Sequence, residues 1–284
     1  MIYSRGSVFA KTLIDELGGP REVTSIASEL QLEVREVSAS GFDGALVRPK
    51  NLPIGTILLR DSIRESGRKA FTIAHEIGHF VLPGHEHAEL VCKAEDIGNW
   101  SDETRTLERE ADEFAAELLM PLTVVQPIVS AAGPSLTLIE NIATFTKSSL
   151  SAAAWRYCDV TSERCAIVWS TRGVVAWSKR SPEFGYWISK GVQVNRGTFA
   201  FDCFACEPVP DNPETVEAAL WIESSKLLPE AKLQEQSKFL RFYESVISLL
   251  WIDKPIEQPD EDSMLEDLDP SEFTIGRKRW PSRK

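Results

Sequence analysis

The sequence predicts an α+β fold: a small β-sheet and a histidine-bearing helix come first, a short run of helices follows, and a β-rich region comes after them. Three observations carry this. Residues 68–82, RKAFTIAHEIGHFVL, reach Leu82 without a proline, and Phe71, Ile73, Ala74, Ile77, Phe80 and Val81 are apolar, a spacing that suits a largely buried helix. Residues 106–121, TLEREADEFAAELLMP, are rich in Ala, Glu and Leu, hold no glycine and stop at Pro121, the composition of a stable helix with a defined end. From about Arg164 the chain turns to aromatic and β-branched runs, CAIVWS, GVVAWSK, FGYWISK and GTFAFDCF, with TRG and SPEF between them, which reads as antiparallel strands.

The remaining elements fall between these. Residues 6–31 read as helical, with PREVTSIASEL an amphipathic piece. LEVREVSAS and GALVRPKNLPIGTILLRD read as strands, the second a hairpin turning around Lys50 to Gly55. An acidic, polar loop from about 91 to 105 joins the two helices. Beyond Pro121, PLTVVQPIVSAA and SLTLIENIATFTKSSLSAAAWRYCD read as short helices. Residues 213–253 mix strands with a terminal helix or strand. From Asp253 onward prolines and acids precede a basic end, GRKRWPSRK, and low hydrophobicity with a charge run reads as disorder. A partner-binding arm at Met264 to Leu268 or at Trp280 is the alternative there.

All four histidines of the 284 residues, His75, His79, His85 and His87, lie between positions 71 and 90. His75 and His79 are four apart and so share a helix face, from which two imidazoles can reach one small divalent cation at about 2.0–2.1 Å. Glu76 stands where it can reach a water activated by such a cation. This is the HExxH arrangement of zinc peptidases, with the glutamate as general base. An amphipathic helix with two incidental histidines is the bland reading, and the uncharged run from Ala70 to Ala74 with Gly78 between Ile77 and His79 weighs against it.

A catalytic zinc usually takes a third protein ligand. His85 and His87 follow Pro83 and Gly84, which end the helix. One subgroup of zinc peptidases has a third histidine six residues beyond the motif's second, which would be His85, but its pattern asks for glycine where Leu82 stands. In residues 106–121, Ala111, Phe114, Ala115, Leu118 and Leu119 form an apolar stripe, with Glu110, Glu113 and Glu117 along an adjacent face. A carboxylate at the stripe's edge could lean into a cleft; most such glutamates are solvated. Periodicity alone does not separate Glu110 from Glu113. Tyr157, Tyr186 and Arg68 are candidates to stabilise an oxyanion, none of them placed by spacing.

Together, RKAFTIAHEIGHFVL (68–82) and EADEFAAELLMP (110–121) resemble the ImmA/IrrE family of bacterial and phage metallo-endopeptidases, a likeness that spans roughly residues 20–125. The resemblance implies a zincin-like metallopeptidase core of a small β-sheet plus the HExxH helix. It implies a site of His75, His79 and, as a gluzincin-like third ligand, Glu110, the glutamate just before the alanine of the second helix. Glu76 is then the base, and zinc the cofactor, with manganese or another divalent metal as alternatives. IATFTKSSLSAAAWR resembles the helix-turn-helix-like piece that follows the core in that family. Its second helix shows Ala152, Ala153, Ala154 and Trp155, with Arg156 and Lys147 the cations nearby. A recognition helix carries several polar readers, so packing or a platform for a protein substrate is the preferred role.

The expected organisation is therefore a metallopeptidase core over 1–125, a helix-turn-helix-like segment over 126–160, a β-rich domain over 161–253 and a disordered charged tail over 254–284. The implied function is limited, site-specific cleavage of a protein partner, a helix-turn-helix transcriptional repressor encoded nearby, to derepress stress-response or mobile-element genes. A metal-containing transcriptional regulator or binding module without peptidase activity is the alternative. A net charge of −12 argues against direct nucleic-acid binding. No apolar run approaches the roughly 18 residues of a membrane helix, the N-terminus does not read as a signal peptide, and five cysteines without a framework suit a cytoplasmic protein. Cys203 and Cys206 form a lone CxxC, expected to be plain thiols. Trp169, Trp177 and Trp187 are expected in a sheet core.

Overall fold

A computed structural model describes residues 4–49, 53–85, 102–224, 226–254 and 256–257, with 102–104 in backbone only. Helix α1 (Arg5–Glu16) begins at Ser4, whose hydroxyl accepts the Ser7 amide, and α2 (Val23–Glu29) follows. Strands β1 (Leu32–Val37), β2 (Gly44–Val47) and β3 (Gly55–Arg60) form a sheet in the order β1-β3-β2. β1 runs parallel to β3 and β2 antiparallel, so β2 and β3 pair as the expected hairpin; residues 50–52 of the link between them lie outside the described residues. Along β3, Gly55, Ile57 and Leu59 are buried and their neighbours less so, the alternation of a strand with one covered face.

Helix α3 (Ser66–Val81) carries the histidines across this sheet, and α4 (Asp102–Leu119) lies against it. α3 stops at Leu82, and the Arg48 guanidinium takes the carbonyls of His79 and Phe80 at that end, where a cation also suits the helix dipole. A Cβ on Gly78 would sit 3.1 Å from Phe114 Cδ1 and 3.3 Å from Ala111 Cα. Having no side chain there lets α3 and α4 approach closely. Ile57, Leu59, Ile73, Ile77, Phe114 and Leu118 share one core with Ala10, Ile14 and Ile26 of α1 and α2.

The expected short helices are α5 (Leu122–Ser130), α6 (Leu136–Thr146) and α7 (Leu150–Val160), with Ser135 and Ser149 capping the last two. They do not enclose a core of their own. Val125, Ile139, Ile142 and Tyr157 pack with Cys165, Ile167, Ile247 and Leu249 of a second sheet. That sheet holds β4 (Cys165–Thr171) and β5 (Val174–Arg180), then, beyond α8 (Phe199–Ala205), β6 (Glu214–Glu217), β7 (Lys232–Leu240) and β8 (Ser245–Trp251). Its order is β5-β4-β8-β7-β6, antiparallel throughout. Arg172 and Gly173, both at positive φ, make the two-residue β4–β5 turn.

Two expected strands are not strands. FGYWISK follows a single 3-10 turn, Pro182–Phe184, without joining the sheet. Most of GTFAFDCF is the helix α8: Thr198 Oγ1 accepts the Phe201 amide, and the buried Glu235 carboxylate accepts the Ala200 amide at 2.7 Å. A cap and a buried acceptor at the first turn outweigh the strand preference of three phenylalanines. Cys203 is buried in α8, Cys206 is exposed at its end, and both are free. Residues 86–101, His87 among them, and the tail from 258, with Met264, Leu268 and Trp280, lie outside the described residues. No single helix among the described residues is long and apolar enough to cross a membrane.

Candidate metal centre

One face of α3 presents His75 and His79 toward α4, with Glu76 1% exposed between them in sequence. The two Nε2 atoms stand 3.0 Å apart. Glu108 of α4 completes the group: Oε2 is 3.2 Å from His75 Nε2, and Oε1 is 3.5 Å from His79 Nε2. The three side chains are buried, and one donor atom from each lies within 4.8 Å of the others. Four ligands held tetrahedrally at about 2.0–2.1 Å from a cation are about 3.3 Å from one another. Each imidazole nitrogen lies within 3.0–3.5 Å of the other and of its nearest carboxylate oxygen, near that value, and two imidazoles with one carboxylate are a donor set for a divalent metal.

The expected third donor, Glu110, is not in this group. Residues two apart on a helix point about 200° apart, so only one of Glu108 and Glu110 can face the histidines. α4 is packed on two sides, and Glu110 turns to the other, where Arg5 Nη1 of α1 donates to its Oε2 at 2.8 Å. Glu113 pairs with Arg109 on the surface. Glu117 is buried and paired with Arg156 of α7.

The outer nitrogen of each site histidine is also engaged. His75 Nδ1 is 2.9 Å from Asp112 Oδ1, and His79 Nδ1 is 2.9 Å from His85 Nδ1. His85 is buried behind His79, outside the donor group, and its Nε2 lies 3.2 Å from Glu110 Oε2. Burial lowers the pKa of His79, against the opposing bond to Glu108. Burial lowers that of His85 too, against the bond to Glu110. At Glu108 burial works to raise the pKa, but the hydrogen bonds with His75 and His79 outweigh it and hold the carboxyl at about 2. At neutral pH this arrangement presents an ionised Glu108 carboxylate beside His79, whose burial favours the neutral, lone-pair form that metal binding requires.

Beside this group runs a groove of about 980 Å³ between α4, α7 and the second sheet. Phe71 and Asp112 line its near end; Trp155, Trp169, Trp177 and Tyr243 line its far wall. Of the three oxyanion candidates, Arg68 lines this groove and pairs with Asp43. Tyr157 is sealed in the core under α7, where burial pushes its phenol up, and Tyr186 packs on Phe184 in the second sheet's core.

Residues 27–157 match the family model described as the IrrE N-terminal-like domain. This part of the chain, a little under half of it, is similar to that family's domain. A curated relative, the radiation response metalloprotease IrrE of Deinococcus radiodurans, is 28% identical over 109 residues. That match takes in 38% of this chain and 33% of the relative, so the chain spans about a third of that protein's length. A solved structure, a Mycobacterium tuberculosis transcriptional regulator, shares the fold with a TM-score of 0.54 at 12% identity, over 88% of this chain and 77% of that one.

Within this IrrE-like region, two residues of the candidate site, Glu108 and Asp112, go beyond those expected from the sequence. Both had a signal. Glu108 lies three and seven residues before Ala111 and Ala115, extending the row that packs on α3 by one turn, and Asp112 is one turn further on.

Proposed function

We propose that this chain is a metal-dependent endopeptidase that makes limited cuts in a partner protein, a helix-turn-helix transcriptional repressor encoded nearby. In this reading residues 1–125 are a zincin-like catalytic core, 126–160 a helical platform and 161–253 a β-rich domain, in the cytoplasm. The observation that carries it is the triad of His75, His79 and Glu108 with Glu76 buried beside it. These three would hold zinc, or another divalent ion that accepts the same donors. When bound, the cation supplies a Lewis acid that activates water and polarises the scissile carbonyl. Glu76 takes the proton of the attacking water and passes it to the leaving amine. Asp112 and His85 hold the outer nitrogens, so that both inner ones face the cation.

The groove supports a protein substrate. Its lining includes Asp112, which bonds His75, and Phe71, whose ring centroid is 6.4 Å from that of His75. Trp169 and Trp177 stack along it, with Trp155 tilted against Trp177, and aromatic walls suit the apolar side chains of an extended peptide. The platform helix offers little to DNA: Arg156 is buried against Glu117, and Lys147 pairs with Glu22.

The test is incubation of the zinc-loaded protein and of its Glu76→Gln variant with the repressor-like protein encoded nearest its gene. The wild type should release a discrete fragment, and Glu76→Gln should be slower by about 10²–10⁴-fold with its metal retained. Equal cleavage by the variant would remove Glu76 from the chemistry. No fragment from zinc-loaded wild type would favour the second reading, a regulator without peptidase activity. The fold shared with a transcriptional regulator keeps that reading in play, although at 12% identity the likeness concerns fold alone.

A further inference from the structure

We infer that His85, Glu110 and Arg5 form a positioning relay that fixes the tautomer of His79 and so aims its Nε2 at the metal. The inference rests on the metal reading proposed above. It starts from the 2.9 Å separation of His79 Nδ1 and His85 Nδ1. Two nitrogens at that distance share one proton, so one ring donates and the other accepts. His79 Nε2 belongs to the donor group, within 3.0 Å of His75 Nε2 and 3.5 Å of Glu108. A lone pair there requires the proton on Nδ1. His79 Nδ1–H therefore donates, and His85 Nδ1 accepts.

The remaining contacts agree with that assignment at each step. With Nδ1 accepting, neutral His85 carries its proton on Nε2, and Nε2 stands 3.2 Å from Glu110 Oε2, an acceptor. Arg5 closes the chain. Its Nη1 donates to the same Oε2 at 2.8 Å, and its Nη2 donates to the Pro83 carbonyl at 2.6 Å. One guanidinium thus holds both the carboxylate that orients His85 and the turn on which His85 is mounted. The opposite tautomer of His79 would break the series at its first link, placing an N–H where the cation needs a lone pair.

The same role is filled differently at His75, where Asp112 Oδ1 accepts a hydrogen bond from Nδ1–H directly. Asp112 is largely exposed, its side chain 58% accessible, whereas His85 is 0% accessible in its side chain. The buried histidine hands the task to a carboxylate farther out, so that no charged group lies directly behind His79. Partners behind metal-ligating histidines fix ring orientation and commonly contribute 10–100-fold, in rough terms, to metal affinity. Glu110, expected at first as a metal ligand, acts in this account through His85.

Long-range 1H–15N correlation of the imidazoles in the zinc-loaded full chain tests this, and four histidines keep the spectrum readable. His79 should show Nδ1–H and a zinc-bound Nε2, and His85 should show Nε2–H with an accepting Nδ1. Chelator competition should show zinc held about 10-fold more weakly in His85→Ala. His85→Asn, whose amide oxygen stands where Nδ1 stood, should recover most of that loss. An Nδ1–H tautomer or a zinc-bound nitrogen at His85, or unchanged affinity in His85→Ala, would overturn the relay while leaving the metal reading intact. Absence of zinc-bound shifts at both His75 and His79 would overturn the metal reading and the relay with it.

Discussion

Replacing Glu108 by glutamine keeps its size and removes the charge that faces His75 and His79, whereas the same change at Glu110 alters only the groups behind His79. Zinc titration should therefore show Glu108→Gln weaker than wild type by well over about 10-fold, and Glu110→Gln by less than Glu108→Gln. The metal-free protein carries a pH signature of the same residue. The folded-state pKa of Glu108 is depressed from 4.5 to about 2. Its stabilisation is therefore present above about 4.5 and lost as pH falls toward 2. The melting-temperature gap between wild type and Glu108→Gln should be open near pH 6 and narrow through that window. A gap that widens on acidification would contradict the sign. Which glutamate faces the two histidines was legible only by extending the apolar row of Ala111, Ala115 and Leu118 back one turn. The motif's spelling pointed to the adjacent Glu110, because a helix packed on two sides buries parts of both faces.

At the scale of elements, the position of the site depends on three helices in close contact. A Cβ on Gly6 would lie 2.2 Å from the Glu110 carbonyl oxygen and 2.9 Å from the Phe114 amide nitrogen. Gly6→Ala should therefore push α1 off α4 despite alanine's better helix propensity, costing about 1–3 kcal/mol in urea unfolding and loosening Arg5 from Glu110. A more stable variant would show that the contact is not tight. The α3 and α4 helices were legible from apolar residues at helical spacing that no proline interrupts, and β3 from the alternation of Gly55, Ile57 and Leu59. α8 was not, because what decides it lies elsewhere in the chain: the Glu235 carboxylate on β7 accepts its Ala200 amide. β-propensity of FAF alone gives the opposite answer.

Across the whole molecule, the α3–α4 unit is fastened to the rest by a buried ion pair. Arg156 of α7 bonds Glu117 of α4 and donates Nε–H to the Met120 carbonyl at 2.9 Å, and Glu117 Oε1 accepts the Leu122 amide at 3.0 Å. Arg156→Met should leave Glu117 charged and buried, at a cost of about 3–5 kcal/mol, and pairing it with Glu117→Met should recover much of that. A loss below about 1 kcal/mol in denaturant unfolding would mean that Glu117 finds water or another partner. The helix-turn-helix-like spelling around Arg156 gave no sign of this: from sequence alone an arginine that reads DNA and one that pins two helices look the same.

The most direct measurement is anomalous diffraction at the zinc edge from crystals of the zinc-loaded protein. One strong peak should appear, bonded to His75 Nε2, His79 Nε2 and a Glu108 oxygen at about 2.0–2.2 Å, with Glu110 still on Arg5 and His85. A zinc bonded to Glu110 or to His85, or one seated away from α3, would contradict it.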